Sequence, residues 1–72
     1  MGLGAGDVVL SITWHPTGRR SGTARVSHLD GRDDHRPMDR HGAEALAVEF
    51  FGPQRVERAL AGQGVEWTRG PG

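Results

Sequence analysis

Gly52-Pro53-Gln54-Arg55-Val56-Glu57-Arg58-Ala59-Leu60-Ala61-Gly62 carries the signals of a helix placed directly after another helix. Proline suits a first helical position, where its missing N–H costs nothing. Val56, Ala59 and Leu60 fall on one helical stripe, and Gly62 or Gly64 supplies a C-cap. The preceding run has the same character. Between Gly42 and Phe51, the residues Ala43, Leu46, Ala47 and Phe50 recur at i, i+3, i+4 and i+7. Ala45, Val48 and Phe51 widen that stripe, leaving Glu44 and Glu49 outside it. Gly52-Pro53 then separates the two members of a helix pair.

Upstream the period changes from 3.6 to two. Val8, Leu10, Ile12 and Trp14 alternate with Val9, Ser11 and Thr13, the pattern of a half-buried strand. Pro16 ends it, because proline cannot donate to a ladder. His15 to Gly22 reads as a turn. A second strand runs from Thr23 to about Leu29, with Ala24, Val26 and His28 on one face and Arg25 and Ser27 on the other. Leu29 breaks that phase. Two alternating runs around a glycine-containing loop predict an antiparallel hairpin. Residues 30–41 contain one apolar side chain, Met38, and read as a solvated polar loop. Downstream, Val65 and Trp67 alternate around Glu66 as a candidate short third strand.

The expected order is therefore strand, strand, helix, helix and a candidate strand. The fold class is α+β: one small domain over residues 1–72, its hairpin sheet packed against a helix pair. Residues 1–6 and 68–72 read as flexible ends.

Composition narrows the functional classes. All nine cations are arginine, and lysine, asparagine, tyrosine and cysteine are absent. That skew toward residues with GC-rich codons suggests a bacterial gene from a GC-rich genome, and it lowers the significance of any single arginine. Nine acidic residues balance the nine basic ones, giving no global pull toward nucleic acid or membrane. No stretch approaches the roughly 20 apolar residues that span a bilayer, and no targeting signal is visible, so a soluble cytoplasmic protein is expected. A chain this short buries only about 60% of its unfolded surface. Without cysteine it has no disulfide or thiolate metal site to help. Burial against a protein partner, a second copy in a homodimer above all, would supply the missing core.

His28, Asp30, Asp33, Asp34, His35, Asp39 and His41 invite a metal, but their spacing matches neither an HExxH helix nor an EF-hand loop, and arginines interleave with them. No metal and no cofactor is expected. Ser11, Ser21 and Ser27 lack a nucleophile-elbow context, so no catalytic residue is expected. The segment from Leu46 through Val65 resembles part of a helix-turn-helix DNA reader, and the resemblance implies a second helix in a major groove. It departs in spacing. Ala47 to Gly52 spans five positions and Gly52 to Val56 spans four, where that pattern wants four and six. A helical hairpin on a sheet accounts for the same apolar residues.

Two functions follow. The first is a noncatalytic regulatory or accessory protein acting through an apolar helix–sheet patch, with Phe50, Phe51, Val56 and Leu60 at the interface. Adjacent phenylalanines point about 100° apart on a helix, and both are hard to hide in a small core. The alternative is a small nucleic-acid-binding protein gripping phosphates with Arg19, Arg20 and Arg25 of the hairpin.

Overall fold

A computed structural model of the chain describes residues 8–71. The glycine-rich start, residues 1–6, lies outside the described residues. Five strands and one helix follow one another: β1 (Val9–Pro16), β2 (Gly22–His28), β3 (Asp33–Pro37), α1 (Arg40–Phe51), β4 (Val56–Ala61) and β5 (Gly64–Arg69). The strands form one antiparallel sheet in the order β3-β2-β1-β5-β4. β1 to β3 make a meander, α1 carries the chain across the sheet, and the β4–β5 hairpin inserts β5 beside β1.

The helix pair is not formed. Residues 56–61 are an edge strand, with Val56, Arg58 and Leu60 opposite Arg69, Trp67 and Val65. Val56 and Leu60 share one strand face with Arg58, while Ala59 falls on the other with Glu57 and Ala61. A run of six is too short to be a stable helix by itself, and pairing with the strongly β-forming Val65-Glu66-Trp67-Thr68 overrides local helix preference. Gly62 is not a helix cap but the first residue of the two-residue β4–β5 turn. Its φ of 62° beside a negative-φ Gln63 is the type II′ pattern, which matches strand twist. Gly64, the other expected cap, opens β5.

The polar loop is also a correction. Residues 33–37 pair with β2 from Ser27↔Asp33 to Thr23↔Pro37. An edge strand needs a ladder on one side only and no apolar face, so composition conceals it. The expected end at 68–72 is part strand as well, since Thr68 and Arg69 belong to β5.

The helix packs one face of the sheet, over β1 and β5. Ala43, Ala47 and Phe51, spaced by four, are its buried residues, and the two alanines let it approach closely. Beneath them lie Ile12, Ala24, Val26, Val65 and Trp67 in one cluster. Fully burying Ile12 and Val26 contributes about 1.5–3 kcal/mol each before ordering costs. The strand phase in β1 holds for Ile12 and Trp14 but not for Leu10. A bulge between Val9 and Ser11 makes Leu10 the extra residue, so Val9 turns inward and Leu10 outward. Ala24, Val26 and His28 share the buried face as their alternation requires. The opposite face presents Ser11, Thr13, Arg25, Ser27, Glu66 and Thr68 in cross-strand rows over the three central strands.

Candidate anion-binding site

The loop between β1 and β2 is closed by its own backbone. The Thr17 and Gly18 N–H groups both donate to the Ser21 carbonyl, at 3.0 and 3.3 Å. That closure leaves Arg19 and Arg20 at the tip. Beside them, the Trp14 indole folds over the backbone of Gly22, where any Cβ would overlap the ring. Its Nε1–H donates to the Met38 carbonyl at 2.9 Å. Met38 in turn donates its N–H to the Gly22 carbonyl at 3.0 Å, so the end of β3, the start of β2 and the indole are tied together.

One residue further on, Asp39 caps α1, its Oδ1 accepting from the Gly42 N–H at 2.7 Å. The cap fixes where the helix starts and brings Arg40 and His41 to the same opening as the hairpin tip. Trp14, Arg19, Arg20, Asp39, Arg40 and His41 line a recess of about 400 Å³. Three arginines and one aspartate line it, and one oxygen of that carboxylate is already engaged by the helix. Among the described residues no ion pair or hydrogen bond ties up the Arg19, Arg20 or Arg40 side chain. An arginine fork left without a protein partner is free to take a carboxylate or phosphate bidentately.

Arg25, grouped with Arg19 and Arg20 on sequence grounds, belongs elsewhere. It lies on the polar face opposite His35 and Thr13, with its Nε 3.7 Å from Asp33 Oδ2. Arg40 and His41 take its place in the recess. The signal for them was Asp39: an aspartate just before an apolar periodic run is an N-cap, and that cap turns the next two residues into the helix's first turn.

The His/Asp run is dispersed. Among the described residues no group of three or more His and acidic side chains is placed to hold an ion. Its one organised pair is His28 with Asp34, Nε2 to Oδ2 at 2.9 Å across β2 and β3. The His28 hydrogen bond holds the Asp34 carboxyl below its ordinary value, opposed by partial desolvation and assisted by the charges of Arg32, His28 and Arg36.

The expected interface residues also separate. Phe51 is in the core, and Val56 is half-buried against it. Phe50 is 38% exposed on the helix and Leu60 87% exposed on β4. With residues 56–61 a strand, no recognition helix exists and the helix-turn-helix resemblance falls away. No described helix is long and apolar enough to cross a membrane. No protein-family model, curated protein or solved structure matches this chain.

Proposed function

We propose that this protein is a noncatalytic binding module that takes a phosphate-bearing anion in the recess at the Trp14 end of the sheet. The observation that carries this reading is that Arg19, Arg20 and Arg40, none with a side-chain partner among the described residues, line one recess with a fixed indole beside it. Its volume lies within the range of small-ligand sites. Inorganic pyrophosphate in calorimetry at low salt is the direct probe. Hydrogen bonds to charged groups contribute about 1.5–3 kcal/mol each, so the double variant Arg19→Gln/Arg20→Gln should weaken binding at least tenfold. Affinity that ignores this double variant would sink the reading.

A second reading keeps the protein-partner expectation, on a different surface from the absent helix pair. β4 has one unpaired edge, and Leu60 stands almost fully exposed on it. A second copy could extend the sheet antiparallel about Ala59. Arg58 of each chain would then face Leu60 of the other, with no like charges opposed. Sedimentation equilibrium at micromolar concentration should give more than the monomer mass, and Leu60→Asp should lower it. A wild-type protein that stays monomeric removes this reading.

A further inference from the structure

We infer that the ligand of the recess is a nucleotide unit, its base stacked on Trp14 and its phosphate held by Arg19, Arg20 and Arg40; this rests on the anion reading above. The inference comes from where Trp14 sits: packed on the core by one side, it also lines the recess, and it is fixed twice. Its Nε1–H is bonded to the Met38 carbonyl, and its ring is seated on Gly22. It is half-buried while Trp67, the other tryptophan, is 1% exposed in the core. Trp14 lines the recess together with Arg19, Arg20 and Arg40. A plain inorganic anion would gain nothing from a ring in that position. A flat, π-rich group carried next to a phosphate would gain on both counts, since bases stack on aromatic platforms whatever their identity while arginines hold the backbone phosphate. His41 adds a further donor or acceptor at the rim.

Glycine at position 22 is part of the device. With any side chain there the ring must leave its seat, so Gly22→Ala should weaken nucleotide binding without touching a guanidinium.

The chain has two indole N–H groups, so nuclear magnetic resonance separates the platform from the core. In a ¹⁵N-labelled sample, adenosine monophosphate should shift the Trp14 indole resonance and leave that of Trp67 in place. It should bind at least about fivefold tighter than ribose 5-phosphate, the lower end of what stacking one base provides. Trp14→Phe, which keeps a ring, should retain part of that preference. Arg19→Gln/Arg20→Gln should weaken both ligands together, and Arg25→Gln on the other face should weaken neither. Short single-stranded oligonucleotides identify the source: affinity climbing with length assigns a strand, and length-independent affinity assigns a free nucleotide. Equal affinities for the two phosphates with an unmoved Trp14 resonance would overturn the stacking inference and leave the anion reading intact. Failure of ribose 5-phosphate, adenosine monophosphate and pyrophosphate alike would overturn both.

Discussion

β3 and β4 close the two edges of the same sheet, but from opposite materials. β3 is Asp33-Asp34-His35-Arg36-Pro37, four titratable residues and a proline. It is held by its ladder to β2 and by two side-chain contacts, His28–Asp34 at 2.9 Å and Arg25–Asp33 at 3.7 Å. Charge and proline are also what keep an exposed edge from recruiting other strands. β4 is Val56-Glu57-Arg58-Ala59-Leu60-Ala61, held by the tight Gly62-Gln63 turn and by β5. It carries no proline and no bulge, and it displays Leu60. Both edges carry charge, β4 through Glu57 and Arg58, but only β3 adds a proline. The contrast explains why the second-copy reading rests on β4 alone; the recess lies elsewhere, formed by β1, the β1–β2 loop and the start of α1.

The largest effect should come from removing the support of one edge and not the other. Trp67 sits on β5 between Arg58 of β4 and Ile12 of β1 and is fully buried. Trp67→Ala should cost about 3–5 kcal/mol. Hydrogen exchange should show β4 and β5 losing protection before β2 and β3 do. Among the described residues its Nε1–H has no acceptor, so Trp67→Phe should cost much less. Uniform loss of protection across both edges would show that the two halves of the sheet do not differ in this way.

A smaller effect distinguishes the charged edge. The Asp34 carboxyl lies below its ordinary value in the folded chain, chiefly through the His28 hydrogen bond. Between the lowered folded value and the higher unfolded one, the unfolded state binds more protons. The contribution of Asp34 is therefore complete above its unfolded value near 3.8 and is lost as pH falls through the lower folded value. Asp34→Asn should lower stability near neutrality and flatten its decline as pH falls below about 5. An unchanged acid limb would mean that this pair does not anchor β3.

The two edges also mark where sequence reasoning succeeded and failed. The β1–β2 hairpin, its turn, the helix through Phe51 and the candidate strand around Trp67 were legible because each shows a clean period over a sufficient run. β3 was hidden because an exposed edge strand carries no apolar period, and its five residues look like solvent-facing loop. β4 was hidden for a different reason: Val56, Ala59 and Leu60 fit a helical stripe and not strand alternation, and Pro53 favours the helix. The bulge at Leu10 reversed a face that simple alternation had assigned. The recess was half legible. Arg19 and Arg20 could be read from the chain, and Asp39 marks the helix start beside Arg40 and His41, but what brings that helix start to the hairpin is the Trp14–Met38 hydrogen bond, a tertiary fact.

The smallest effect is a test of sign. Ala59 lies in the middle of β4, exposed and opposite Glu66 of β5. Alanine is the best helix former and a poor strand former, whereas threonine is β-branched and the reverse. If residues 56–61 were the second helix that their stripe suggests, Ala59→Thr would destabilise by several tenths of a kcal/mol. In an edge strand the same change should stabilise, by a few tenths and at most about 1 kcal/mol, because the branched side chain fits the pleated surface and packs beside its cross-strand neighbour. Both effects are small, but their signs are opposite, and denaturant midpoints at an unchanged slope resolve them. The matching change on the other edge, His35→Thr at an exposed site opposite Arg25, should follow the same rule. A rise in midpoint at both positions would establish that two segments so different in composition share one backbone state; a fall at Ala59 alone would return residues 56–61 to a helix and remove the β4 edge with it.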